Sequence, residues 1–224
     1  MTLTKNLAAL AAVAAGVALS CAPPAAAAAT VSPGDEIDAV AAGWSARCTL
    51  GYTYTTREGI TYGITAGHCN ERPSSYVTDR TTGAVGHFVV TVSDPDEHLA
   101  DDYALISFGR NVSVPTMYGM PVTGTAGPDS RTPICHAGIR TGVACGQFDG
   151  RLAASQYCTT GMPQSIPGDS GGPVWQLNHT VGATIVGIWL GEHIKADGTH
   201  FGRFMTMPDV FAGINARIAH ADNA

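Results

Sequence analysis

Gly168-Asp169-Ser170-Gly171-Gly172-Pro173 decides how the rest of the chain is read. A serine hydroxyl is a weak nucleophile until a base takes its proton. Glycines on both sides let the backbone turn tightly and let another molecule approach the hydroxyl. Such a turn can aim the Gly168 and Ser170 N–H groups at one point, where an oxyanion would be stabilised by roughly 3 kcal/mol. The bland alternative is a plain glycine-rich turn with an exposed serine.

Working outward, the residues before this turn read as strands. Cys48-Thr-Leu-Gly-Tyr-Thr-Tyr54, Ile60-Thr-Tyr-Gly-Ile-Thr65, Gly86-His-Phe-Val-Val-Thr-Val92 and Tyr103-Ala-Leu-Ile-Ser-Phe108 are short, β-branched and aromatic. Thr184-Ile-Val-Gly-Ile-Trp-Leu190 continues the pattern after it. A helical period enters only at the end, where Val210, Phe211, Ile214 and Ile218 share a face behind Pro208 and Asp209. Val112 to Pro133 is rich in Pro, Gly, Thr and Ser and reads as a linker between two β halves. This pattern matters because Gly168–Gly172 also fits G-x-S-x-G, the nucleophile turn of α/β-hydrolase esterases. Asp197 or Asp209, then His200 or His220, would complete that class's order of serine, acid, histidine. That fold needs helices between the strands before the serine, and none is legible there.

Two upstream patterns remain: Thr65-Ala66-Gly67-His68-Cys69 and Asp102-Tyr103-Ala104-Leu105. Histidine, aspartate and serine in this order, each in its own motif, resemble the chymotrypsin/trypsin-like serine peptidase family. Cys135-His-Ala-Gly-Ile-Arg-Thr-Gly-Val-Ala-Cys145 narrows the resemblance to its bacterial streptogrisin and α-lytic-like branch. The resemblance implies an all-β chain of two antiparallel six-stranded β-barrels with a short C-terminal helix. The halves would be residues 30–117 and 118–224, with the site between them. It implies that Ser170 attacks a carbonyl carbon, His68 moves the proton, and Asp102 fixes the histidine tautomer. Gly168 and Ser170 would supply the oxyanion hole. Asp101 competes for the acid role, but alternation sends it to the opposite side from Asp102.

Further assignments follow from the same resemblance. It pairs Cys48 with Cys69 and Cys135 with Cys145. Cys158 matches a family cysteine whose partner would follow the serine, where this chain has none. It is therefore expected as a free thiol or as a bridge between chains. Asp169 should be a buried carboxylate beside the oxyanion loop that needs a partner. The branch usually places an arginine after the first cysteine of the second loop, and this chain has His136 there. His136 is expected either to pair with Asp169 and support the loop, or to be an exposed loop histidine. The specificity pocket is expected near Gln164 and Ser165, with Trp189, Leu190 and Glu192 on its wall. It has no aspartate to select a basic residue, so a small or apolar P1 residue is expected. The branch also carries a long pro-segment before the barrels. Here only about a dozen residues separate the expected signal cut from Trp44, and no activating cleavage is expected.

Composition sets the outer limits. The chain has 224 residues, 45% hydrophobic and 13% charged, which suits a packed globular protein and not a disordered one. A formal charge of −6 argues against a nucleic-acid binder, which would show a basic face. Lys5, the apolar run Leu7–Leu19 and the following alanines read as a secretory signal peptide over residues 1–29. Cuts within Ala25–Ala29 would suit it, one of them leaving Thr30 first. The alternative is a lipid anchor on Cys21. A secreted enzyme with paired cysteines and no membrane span follows. Its partner would be a peptide or protein substrate, with the enzyme itself monomeric. No cofactor is expected. No metal is expected either, since the acidic stretch Asp94–Asp102 lacks the glycine and terminal glutamate of a calcium loop. A catalytically silent binding module of the same fold is the first functional alternative, and the esterase is the second.

Overall fold

The structure, a computed structural model, describes residues 27–72, 76–93, 99–178, 182–194 and 197–221. The expected signal peptide lies outside them except for its last three residues, as do residues 94–98 of the acidic stretch.

The first half holds β1 (Thr30–Val31), β2 (Glu36–Ala41), β3 (Trp44–Thr49), β4 (Tyr52–Thr55) and β5 (Thr61–Thr65). A single 3-10 turn, Gly67–Asn70, is followed by β6 (Tyr76–Asp79), β7 (Val85–Val92) and β8 (Tyr103–Ser107). These pair in the order β3-β2-β6-β7-β8-β5-β4. The two end strands are successive lengths of one segment, bent at Leu50-Gly51. Counted once, that bent segment gives the six strands expected, although β3 and β4 form an open seam and not a ladder. Glycine is required at the bend, because a Cβ on Gly51 would lie 2.5 Å from the Gly171 carbonyl oxygen. The bend is thus pressed against the Ser170 turn.

The second half closes fully. It follows β9 (Val112–Ser113) and β10 (Thr116–Met117) and holds β11 (Met120–Thr125), β12 (Ile134–Gly138), β13 (Gly142–Arg151) and β14 (Gln156–Thr160). After the Ser170 turn come β15 (Pro173–Leu177), β16 (Ala183–Ile194) and β17 (His200–Thr206). Strands β16-β15-β12-β13-β14-β17 form a ring, closed by β17 pairing back onto β16. The stretch read as a linker, Val112 to Pro133, carries strands of its own. There β9 pairs in parallel with β1, and β11 pairs in parallel with β16. Its Thr and Val residues satisfy their backbone on existing sheet edges despite the Pro and Gly content.

Burial explains the sequence pattern. All five residues of β8 are buried, so a continuous apolar run was needed there. Most of β13 alternates between exposed and partly covered positions. One large core runs from Ile37, Ile64 and Leu105 through Trp175, Ile188 and Leu190 to Val210 and Ile214. It cements both halves and the terminal helix α1 (Met207–Ala221). A second cluster of Ile134, Val174, Val186, Trp189 and Phe204 fills the closed barrel. Helix α1 starts where expected: the Asp209 N–H donates to the Thr206 hydroxyl at its first turn. Phe211 packs edge-on against Tyr52 and Tyr54. Ile218, expected on the same face, is exposed.

Candidate active site

His68 stands on the 3-10 turn after β5. The turn is pinned by a disulfide from Cys69 to Cys48 on β3, with Cα atoms 6.2 Å apart. Gly67 fits only as glycine: a Cβ there would lie 1.7 Å from the Val92 carbonyl oxygen and 2.9 Å from Asp102 Oδ1. That close approach brings the turn onto Asp102. The His68 backbone N–H donates to Asp102 Oδ1 at 2.8 Å, and Nδ1 lies 2.6 Å from Oδ2. The two contacts hold the imidazole by its backbone and its ring together. Asp102 is buried, whereas Asp101 is exposed and accepts a hydrogen bond from Ser155 in the other half.

Burial works to lower the His68 pKa. The hydrogen bond and charge of Asp102, with Glu71 beyond it, outweigh burial and raise it above the ordinary histidine value. Arg203 opposes that rise.

Ser170 sits in a turn with Gly168 at φ 113° and Gly171 at φ 81°, the left-handed region that favours glycine. Both glycines are also crowded. A Cβ on Gly171 would lie 1.8 Å from Thr65 Oγ1. The turn is bonded on both sides. Gly171 N–H donates to the Trp189 carbonyl at 2.7 Å, and Trp189 N–H donates to that of Gly172 at 2.8 Å. From the first half, Thr49 N–H donates to the Ser170 carbonyl at 2.9 Å, and the Thr49 hydroxyl donates to that of Gly168 at 2.8 Å. Among the described residues, the N–H groups of Gly168 and Ser170 have no acceptor. These are the two donors the sequence assigned to an oxyanion hole.

Asp169 is fully buried, and its carboxylate is satisfied without a cation. It accepts from the N–H groups of Arg140, Thr141 and Ile166 at 2.9, 3.1 and 3.1 Å, and from the Thr141 hydroxyl at 2.8 Å. The expected His136–Asp169 pair is therefore a correction, and so is the alternative of an exposed loop histidine. His136 lies on β12 inside the closed barrel, 0% exposed, with neither ring nitrogen hydrogen-bonded among the described residues. Burial pushes its pKa down to about 4, and the Asp169 charge offsets this only in part. Barrel closure places the His136 ring in the core against Trp189, and backbone N–H groups reach the carboxylate instead.

A cleft of about 370 Å³ joins these parts, lined by His68, Asp102, Gly168, Ser170 and the segment Ser165–Pro167. Leu190, Gly191 and Glu192 form another wall. Of the expected pocket residues, Ser165, Leu190 and Glu192 line the cleft. Gln164 is exposed and stands outside its lining, and Trp189 is buried behind it. Trp189 still shapes the space. Its indole N–H donates to Ser165 Oγ at 2.9 Å, and a Cβ on Gly202 would lie 1.9 Å from its ring. Glu192 accepts from the Ser165 N–H at 3.2 Å and lies 3.3 Å from His200 Nδ1. Three charged lining residues were missed from sequence: Arg47, Glu71 and Arg203. For Arg203 a signal existed, since it is a lone charge inside the otherwise uncharged run Phe201–Met205.

The expected disulfides are both present, the second joining Cys135 and Cys145 at directly opposed positions of β12 and β13. Cys158 is outside any disulfide and buried in β14, so its sulfur is not presented for a bridge between chains. Among the described residues no cluster of metal-ligating side chains occurs, and no helix is long and apolar enough to cross a membrane.

No family model matches the chain. The curated Serine protease 2 of Streptomyces fradiae is 28% identical over 162 residues, covering 66% of this chain and 90% of that protein. Among solved structures, Thermobifida fusca Protease A aligns with a TM-score of 0.61 at 19% identity, over 83% of this chain and 96% of its own. The Nocardiopsis protease aligns with a TM-score of 0.63 at 20% identity, over 83% and 97%. The structures share the double-barrel fold, and the curated relative adds a sequence likeness across most of its length.

Proposed function

We propose, from its membership of the chymotrypsin-like serine peptidases in their bacterial streptogrisin and α-lytic-like branch, how this serine endopeptidase uses its own residues. Ser170 Oγ attacks the carbonyl carbon of the scissile peptide bond while His68 takes the hydroxyl proton. The tetrahedral oxyanion lies between the Gly168 and Ser170 N–H groups. His68 then protonates the leaving amine, and an acyl-enzyme remains on Ser170. Water, deprotonated by His68, attacks the ester carbonyl and releases the acid. Asp102 holds the Nδ1–H tautomer and stabilises the imidazolium in both halves of the cycle. The observation that carries this reading is the double contact of His68 with Asp102, in one cleft with the Gly168 and Ser170 N–H groups, which have no acceptor among the described residues.

The substrate is an exposed peptide segment with a small or apolar P1 residue. Its side chain would enter between Ser165–Gly168 and Leu190–Glu192, where the Trp189 indole occupies the space behind Ser165. The leader over residues 1–29 directs export, which agrees with two disulfides. The enzyme works as a monomer outside the cell.

A fluorophosphonate label followed by peptide mapping tests the reading on wild type and His68→Ala. Labelling of Ser170 that depends on His68 is expected. Labelling that ignores His68 would point to an esterase arrangement, and an unlabelled wild type to a binding module.

A further inference from the structure

Arg203 is a buried cation, 4% exposed, that the mechanism above does not use. It stands on β17 opposite Cys158 on one side and Gly191 on the other. Gly191 has no side chain, and nothing lies within 4 Å of where its Cβ would be. The arginine therefore reaches the cleft, which it lines together with His68, Asp102 and Ser170. Its guanidinium Nη1 donates to Gln156 Oε1 at 3.1 Å. Gln156 is itself buried, and its Nε2 donates to the Ala100 carbonyl at 2.6 Å. Ala100 lies two residues before Asp102. A hydrogen-bonded path thus runs from the second barrel to the segment that carries the acid.

Asp102 has a matching need. It is 4% exposed, and among the described residues both of its hydrogen bonds come from His68. While His68 is neutral, that leaves a buried carboxylate with no cation in contact, a costly arrangement. We propose that Arg203 is a positioning residue for the acid and base: its guanidinium, tethered through Gln156 to Ala100, holds the Asp102 segment in register with His68 and supplies the buried positive charge that Asp102 otherwise lacks. This rests on the triad reading above.

The charges around His68 make the role measurable. Asp102 and Glu71 favour the imidazolium, and Arg203 opposes it. Arg47 and Glu192 line the wider cleft with opposite signs. Arg203 therefore keeps the base free of its proton at lower pH than Asp102 and Glu71 alone would allow.

The test follows the full chain as wild type, Arg203→Met, Arg203→Lys and Gln156→Met. It reads kcat and KM against pH on a peptide ester, and the His68 imidazole by proton NMR. In Arg203→Met the acidic limb of kcat/KM and the His68 titration should both move up by about half a pH unit or more. kcat should fall more than KM rises, and Arg203→Lys should restore the limb. Gln156→Met should lower kcat with a smaller shift. A limb in Arg203→Met that coincides with wild type overturns the proposal, as does a shift in Arg203→Lys as large as in Arg203→Met. Should Arg203→Met not fold, Gln156→Met decides: unchanged kcat and limb overturn the proposal. An unlabelled Ser170 in wild type would defeat the triad reading instead, while the NMR titration would still report the charge of Arg203.

Discussion

His136 lies flat against Trp189, with ring centroids 4.0 Å apart and planes 8° from parallel. The stack fills the closed barrel directly behind Ser165, which accepts the indole N–H. A titratable ring and a wall of the cleft are thus one packed unit.

The stack has a pH consequence. The His136 pKa in the fold is about 4, against 6.5 for a free histidine, so the unfolded chain binds the proton more readily. Stability from keeping it neutral is full above about pH 6.5 and is lost as pH falls toward 4, amounting to about 3 kcal/mol. Asp35, held up near 7 by burial and by Asp79, acts with the opposite sign across that window. The comparison of wild type with His136→Phe therefore isolates the histidine. Urea unfolding at pH 7 and pH 4.5 should show the variant losing less stability on acidification. Equal losses would mean that His136 is protonated in the native state.

Trp189 should set the P1 size limit. Trp189→Val removes the indole behind Ser165 and opens space between Gly202 and the cleft wall. Cleavage of substrates with P1 Phe or Leu should rise at least tenfold relative to P1 Ala, measured as a kcat/KM ratio on a peptide series. The cavity should cost about 3–5 kcal/mol of stability. An unchanged ratio in a folded variant would place the limit elsewhere, at Leu190 or Glu192.

Asp102→Asn keeps the shape of the acid but removes its charge. With Nδ1–H no longer accepted by a carboxylate, kcat should fall by roughly 10⁴. In wild type, the acidic limb of kcat/KM should lie above the ordinary histidine value of 6.5, because Asp102 and Glu71 outweigh burial at His68. Activity therefore rises as pH rises through that value. Steady-state kinetics from pH 5 to 9 check both statements.

Gly67→Ala is a small change with a large expected effect. The new methyl would meet the Val92 carbonyl at 1.7 Å and press on Asp102. The His68 turn must then lift away. Activity should fall at least a hundredfold, with a loss of stability of about 2 kcal/mol or more in thermal unfolding. Gly127→Ala serves as a control, since Gly127 is exposed and a Cβ there would meet only Pro208 Cγ at 3.9 Å. It should leave kcat near wild type. Equal activities for the two variants would show that the turn tolerates a side chain.

Much of the design is legible in the sequence. Tyr103–Ser107 reads as a fully buried strand because every position is apolar or small, and it is one. The nucleophile turn, the histidine turn and the acid each carry a local motif whose glycines or alternation state their geometry. The Val112–Pro133 stretch misled because strand pairing on an existing edge needs only backbone groups, which Pro and Gly content masks. His136 misled for a related reason. Its neighbour in sequence, Cys135, places it on β12, but only the barrel's closure shows that the side chain points inward toward Trp189.

Sequence alone therefore determined the order of the candidate triad: a histidine, an acid and a serine, each on a turn or strand that its neighbours enforce. Those are local constraints, set by glycine sterics and period-two alternation. Tertiary structure decided what surrounds them. Backbone N–H groups from residues 140, 141 and 166 hold Asp169, where a cation was expected. An indole from β16 packs behind Ser165 on the cleft wall. Arg203, from far along the chain, is linked through Gln156 to the Ala100 carbonyl, two residues before Asp102. Such contacts depend on which strands close a barrel and which faces meet across it, and no spacing along one chain encodes that by itself.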